Sequence, residues 1–440
     1  MKRQNIRRLE LGFVAAVTLI GLSVIPTLTA SAKAVQTHST NSIVLQLSHA
    51  FYPIAPKGGH DLYHCSLLDL NVSTDQMITK AVFVPGNKTE DHHAIVYLVR
   101  PIDVGQAQAL DHNGAGWTCF GGTGIGGAGL GSSQQSPWLA GWSPGHNVSI
   151  EPIGTGVPLP AGSKVVLQMH YNLLQGHWPD RTKITLTTVD QATSGLTPLS
   201  IDLLAAPIDA PCPKGVTGKL CSRAASLADI GKRFGQSAAS FDNLLDGFCS
   251  GPTPKVGNTS SCTYQYGNSN AGFYIWGITP HMHLLGVSMK VMLNPDTSKA
   301  KTLIDDTNYN FHLQVSIPLA SPQFIAAGDR LQVSCTYNPV LRTQLPFLRS
   351  LPPRYVLWAD GSSDEMCLAS MGVTYSLPGS AASFRSGMAP TTMHWDPVLL
   401  KALTAVRIPS MQSLTDPANL LTTTRLSRLQ QVQLALALCG

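Results

Sequence analysis

Residues 165–172 read Val165-Val166-Leu167-Gln168-Met169-His170-Tyr171-Asn172, and this stretch decides the fold class. It opens on β-branched residues and ends close to a histidine. Runs of about four to eight such residues, bounded by Gly, Pro and Asn, form strands. The same signature recurs at Ala81-Val82-Phe83-Val84, Ala94-Ile95-Val96-Tyr97-Leu98-Val99 and Lys183-Ile184-Thr185-Leu186-Thr187. It returns at Phe273-Tyr274-Ile275-Trp276, residues 287–293, residues 331–337 and Tyr355-Val356-Leu357-Trp358. Two strand-rich halves are expected, each with its own histidine cluster. The 39 Gly and 30 Pro among 440 residues agree, because they favour turns and short strands over long helices.

Charge points away from nucleic acid. Charged residues are only 12% of the chain, about half the ~25% of an average globular protein. The net charge of +5 includes Lys2, Arg3, Arg7 and Arg8 against Glu10, so most of it lies at the N-terminus. No block of like charge remains to meet phosphates or acidic lipid. Residues 1–34 read as a signal peptide. Four basic residues precede an apolar run at 11–25, Pro26 ends it, and Ala30-Ser31-Ala32 is a small-x-small cleavage site. Fifteen apolar residues fall short of the roughly 20 that span a bilayer, so no stable membrane span is expected after cleavage. A secreted or otherwise extracytoplasmic protein is expected, with disulfides permitted.

The middle of the chain differs. Cys212, Cys221, Cys249 and Cys262 bracket residues 222–245, where Leu227, Ile230, Phe234, Phe241, Leu244 and Leu245 recur at helical spacing. The expected organisation is a β-sandwich over 45–200, a helical insert or linker over 201–268, a second β-sandwich over 269–376 and a helical tail over 377–440. In the tail, Asp416-Pro417 caps an apolar stripe that can pack on the body, dimerise or touch a membrane. The glycine-rich run 121–131 lacks the Lys-Ser/Thr ending of a phosphate loop and reads as a flexible surface loop.

Three clusters could hold metal. Asp91-His92-His93 heads one strand, His170 ends another, and His281-Met282-His283 forms a His-x-His. Imidazole is the commonest ligand for Cu, Zn, Fe and Ni. On a strand, residues i and i+2 share a face, so His281 and His283 can chelate one ion. Adjacent His92 and His93 point to opposite faces unless a bulge or strand end intervenes. A zinc hydrolase of this type wants a nearby carboxylate, and residues 284–290 have none. Asp364-Glu365-Met366-Cys367 instead offers a thioether, a soft ligand that favours Cu(I). His64, His146, His177, His312 and His394 read as ordinary polar residues.

These residues resemble the copper type II, ascorbate-dependent monooxygenases, the family of dopamine β-monooxygenase and peptidylglycine α-hydroxylating monooxygenase. The matching pieces occur in family order over about residues 60–375: Tyr63-His64-Cys65, His92-His93, Gln168-Met169-His170-Tyr171-Asn172, His281-Met282-His283-Leu284-Leu285-Gly286, Cys335-Thr336-Tyr337-Asn338 and Ser363-Asp364-Glu365-Met366-Cys367. Gly116-Trp117-Thr118-Cys119-Phe120 and the 212–262 insert look like the bacterial branch.

The resemblance implies an all-β fold of two consecutive antiparallel, jelly-roll-like β-sandwiches. It implies two copper ions per chain, one on His92, His93 and His170 for electron transfer. The other sits on His281, His283 and Met366 and activates oxygen, making these three the catalytic residues. The activity implied is an oxidoreductase that hydroxylates a C–H bond of a small-molecule substrate with O2, with ascorbate as reductant. An exported copper-binding protein without catalysis would use the same ligands. The family's second-domain disulfide corresponds to Cys335–Cys367. Cys65–Cys119, Cys212–Cys221 and Cys249–Cys262 would complete four bridges, although sequence alone leaves connectivity open, and Cys439 is left over. Where the peptide-hydroxylating member has substrate-holding Arg, Asn and Tyr, this chain has Thr279, Leu368 and Ser370, which argues against that substrate. Arg342 and Arg349 are candidates to meet an anion. Substrate identity and oligomeric state stay open.

Overall fold

The computed structural model describes residues 39–379, apart from 57–58, 126–135, 175, 251–254 and 267–271. The residues read as a signal peptide, Cys439 and all but the first residues of the expected tail lie outside the described residues, as does most of the glycine-rich run.

The first lobe stacks two sheets. One contains β1 (Thr40–Gln46), β3 (Gln76–Val84), β7 (Val148–Ile150), β8 (Thr155–Leu159), β10 (Lys183–Asp190) and β11 (Thr197–Pro198), with β1-β10-β3-β8-β11 as its spine and β7 beside β3. The other runs β5-β2-β9-β4-β6, from β2 (Asp61–Asp69), β4 (Asp91–Val99), β5 (Trp117–Thr118), β6 (Trp138–Trp142) and β9 (Lys164–Asn172). Pairing is antiparallel except between β8 and the two-residue β11.

Strand period decides what each face meets. Along β4, Ala94, Val96 and Leu98 enter the core between the sheets with Phe83, Met169 and Leu186. Ile95, Tyr97 and Val99 face the other way, into a second cluster with Tyr63, Cys65, Ala107 and Ile125. A strand buried on both faces is continuously apolar, which explains the unbroken run at 94–99. Phe83 is 1% exposed and lies in the inter-sheet core. Phe83→Ala is expected to cost about 3–5 kcal/mol in chemical denaturation, from lost burial plus the cavity left behind.

The second lobe pairs two four-stranded sheets. These are β12-β21-β15-β18 and β14-β19-β16-β17, formed by β12 (Ser200–Ala205), β14 (Thr259–Gln265), β15 (Phe273–His281), β16 (Gly286–Leu293), β17 (Lys301–Asp306), β18 (Ile317–Ile325), β19 (Arg330–Tyr337) and β21 (Leu368–Thr374). A small ribbon joins β13 (Asp209–Ala210) to β20 (Val356–Leu357). The alternating burial of β19 packs Leu331, Val333 and Cys335 against Ile275, Met289 and Val373. The expected all-β fold holds.

The 201–268 segment differs from a plain insert, because β12 and β14 belong to the second lobe's sheets. Between them lie two helices, Arg223–Phe234 and Gln236–Cys249, in place of one continuous helical stretch. Gly235 breaks them at φ +95°, a conformation that favours glycine. Ser222 caps the first helix by accepting from the Ala225 N–H. Arg223 ties the helices to the body by donating to Asp209, Asp242 and Asp246 over 2.6–2.7 Å. Four disulfides join Cys65–Cys119, Cys212–Cys221, Cys249–Cys262 and Cys335–Cys367, the pairings expected above.

His64 is not an ordinary polar residue. It stacks on Phe51 with centroids 3.8 Å apart, and burial pulls its pKa down to about 4. A ring kept neutral in the fold but protonated when unfolded contributes stability above pH ~6.5 and loses it as pH falls towards 4. Wild type is expected to lose about 3 kcal/mol more than His64→Gln across that window, measured by urea melts at stepped pH.

Candidate metal centre

The first cluster forms at one end of the sheet β5-β2-β9-β4-β6. In the β4–β9 ladder Asp91 faces Tyr171 and His93 faces His170, so His92 is the extra residue of a β-bulge. A bulge re-aims side chains that a regular strand would send to opposite faces. One ring nitrogen from each of His92, His93 and His170 lies within 4.8 Å of the others. This removes the geometric objection to adjacent histidines by a local backbone irregularity.

Ring nitrogens here are poised as acceptors. His170 places Nε2 2.9 Å from Asp61 Oδ1, while its buried Nδ1 has no partner. Both nitrogens of buried His92 are unpartnered, and its ring stacks on Phe311 at 4.2 Å. His93 Nε2 lies 3.4 Å from the Tyr63 hydroxyl. Burial, reinforced by the neighbouring histidines, holds the pKa values of His92 and His93 well below the usual imidazole value.

The second cluster sits where β15 meets β16. His281 ends β15, His283 lies in the turn, and Gly286 opens β16. A Cβ on Gly286 would come within 2.5 Å of Met282 Cβ, which leaves room only for glycine in that turn. His281 Nδ1 lies 2.7 Å from Gln314 Oε1, which directs its Nε2 elsewhere. His283 Nδ1 is 3.3 Å from the Asp364 carbonyl, and its buried Nε2 is unpartnered. Burial pulls His281 to about 4 and His283 to about 3.

Met366 reaches the same turn through Glu365. The Glu365 carboxylate accepts from the backbone N–H of His283 at 2.8 Å, Leu285 at 2.6 Å and Met366 at 3.3 Å. Burial nevertheless pushes its pKa up to about 8, against those donors. Asp364 is held below the usual carboxylate range by Arg233 and Arg354, which bond it at 2.6–2.9 Å. The Cys335–Cys367 disulfide fixes the residue after Met366 to β19. Met366 itself is 8% exposed.

The two clusters are neighbours. The His93 and His281 rings meet edge to face with centroids 6.0 Å apart. Residues 311–314 lie against the first lobe: Phe311 under His92, and the Gln314 carbonyl accepting from Ser143 Oγ at 2.6 Å. Sequence reasoning missed Phe311, Gln314 and Asp61, which belong to none of the quoted motifs. Arg342 is buried and donates to the Ser363 and Pro352 carbonyls, while its Nε has no partner.

Residues 251–375 match the family model of the copper type II ascorbate-dependent monooxygenase, C-terminal domain. The resemblance read from the sequence therefore holds over these residues, which include His281, His283 and Met366. Three solved structures overlap the chain at low identity. The VP2 subviral particle of infectious bursal disease virus is 6% identical, over 78% of this chain and 77% of that one, with a TM-score of 0.15. Coconut allergen cocosin is 9% identical, over 77% and 86%, with a TM-score of 0.14. A Bacillus subtilis oxalate decarboxylase is 8% identical, over 70% and 86%, with a TM-score of 0.11. Overlaps this shallow carry no argument. Among the described residues, no helix is long and apolar enough to cross a membrane.

The donor set fits copper. Unpartnered nitrogens on His92, His170 and His283 are buried where a lone donor or acceptor is costly, and a metal ion would satisfy them. Imidazoles with one thioether suit copper better than magnesium or calcium, which take oxygen ligands.

Proposed function

We propose that this protein is an exported dicopper monooxygenase that hydroxylates a C–H bond of a small organic substrate. The reading rests above all on the converging ring nitrogens of His92, His93 and His170, beside a second pair, His281 and His283, that lies within the residues matching the copper monooxygenase C-terminal domain model. When bound, copper supplies one-electron redox chemistry at each cluster and reactivity towards O2 at the second.

His92, His93 and His170 would hold the electron-transfer ion, His170 through the Nδ1 that its Asp61 contact leaves free. His281 and His283 would hold the oxygen-activating ion, with Nε2 as the available donor since their Nδ1 atoms face Gln314 and Asp364. The Met366 thioether, a soft ligand, would favour Cu(I) there. Burial of His170 and His283, each 0% exposed, limits the access of water to both clusters. The overall reaction inserts one oxygen atom into C–H and reduces the other to water. It consumes two protons and two electrons, which ascorbate delivers singly. Four disulfides fit the oxidising compartment beyond an export signal.

The test is a copper-loaded preparation with ascorbate and a panel of small organic molecules, read by O2 uptake and by mass spectrometry. Two coppers per chain and a product one oxygen heavier are expected. Zinc in the purified protein would count against the reading. Copper without O2 uptake across the panel would favour a non-catalytic copper carrier.

A further inference from the structure

One carboxylate touches both halves of the centre. Asp61 opens β2, opposite Asn172 in the β2–β9 ladder and diagonal to His170. Its side chain is 8% exposed and fully engaged. Oδ1 lies 2.9 Å from His170 Nε2 and accepts from Ser362 Oγ at 2.7 Å, while Oδ2 accepts from the Ser362 N–H at 3.1 Å. Ser362 belongs to the second lobe, four residues before Met366, and is completely buried. Two further first-lobe groups grip the same loop: the Tyr63 hydroxyl donates to the Asp360 carbonyl at 3.1 Å, and Asn172 Nδ2 lies 3.4 Å from Ser362 Oγ.

We propose that Asp61 is a positioning residue that ties the first copper cluster to the loop carrying Met366. This inference rests on the copper reading above. An imidazole that donates from Nε2 must present Nδ1 as its lone pair, so Asp61 sets which nitrogen of His170 faces the cluster. The same carboxylate holds the Ser362 backbone, and from Ser362 the chain runs directly to Asp364, Glu365 and Met366. Docking of the second lobe and orientation of a first-lobe ligand are therefore one hydrogen-bonded unit.

Only a carboxylate can do both, because it accepts on two oxygens. An amide at position 61 accepts on one side and donates on the other. Asp61→Asn must therefore either reverse the His170 tautomer or set an N–H against the Ser362 N–H.

The test compares wild type, Asp61→Asn and Asp61→Ala, each checked first for a native thermal melt without copper. Copper is then titrated against a competing chelator, and EPR spectra of the Cu(II) forms are recorded. Asp61→Ala is expected to weaken one copper site by about 10–100-fold, the usual cost of losing a ligand's orienting partner. It should leave the other site within a few fold. Asp61→Asn is expected either to weaken the same site or to change the spin–spin broadening between the ions. Variants with native melts, wild-type affinities at both sites and unchanged spectra overturn the proposal. So does Asp61→Ala weakening both sites equally in step with a lowered melt, which marks a purely structural role. If Asp61→Ala does not fold, Asp61→Asn decides alone. Wild type that binds no copper overturns the underlying functional reading as well, which separates the two failures.

Discussion

Met366→His is expected to keep copper bound while ascorbate-driven oxygen insertion falls by about 100-fold or more. A thioether stabilises Cu(I), whereas imidazole also suits Cu(II). Replacing sulfur with a third imidazole retains a donor but shifts the balance away from the state that must react with O2. The change is confined locally. Met366 is buried, its N–H contacts Glu365, and Cys367 beside it is locked to Cys335. Metal analysis and O2 uptake on the same preparation separate binding from turnover. Wild-type turnover in Met366→His would show that the thioether has no part in the chemistry.

The second large effect is expected at Glu365. Its carboxylate accepts from three buried backbone N–H groups, those of His283, Leu285 and Met366. Glu365→Leu leaves all three without an acceptor, at about 1–3 kcal/mol each. A loss of about 3–9 kcal/mol in the stability of the copper-free protein is expected from urea melts. Two expected ligands, His283 and Met366, hang from that carboxylate, so copper affinity at the second cluster should fall by at least about 10-fold. Glu365→Gln retains an acceptor oxygen and should fall between wild type and Glu365→Leu on both measures. Unchanged copper affinity in Glu365→Leu would mean that the turn holds its shape without the carboxylate.

Much of this was legible locally. Runs such as 94–99 and 165–169 carry strand character in their side chains, because branched and aromatic residues fit a pleated, half-buried surface. They lie in β4 and β9 as expected. The helical spacing at 222–245 was legible too, but the break at Gly235 was not. Apolar periodicity continues across a glycine whose φ depends on the packing around it. The membership of β12 and β14 in the second lobe was likewise invisible, because pairing is settled by partners far along the chain.

By itself, the sequence determined the all-β class, the disulfide-rich character and the residue types suited to copper, since each depends on side-chain chemistry and short-range period. Tertiary structure decided what those residues can do together. The bulge at His92 turns two adjacent rings towards one point, which regular strand geometry forbids. Packing of residues 311–314 brings His93 and His281 to 6.0 Å. Asp61 contacts both His170 and Ser362, the latter 301 residues further along the chain. Contacts at that separation are set by register and lobe docking, and no local pattern encodes them.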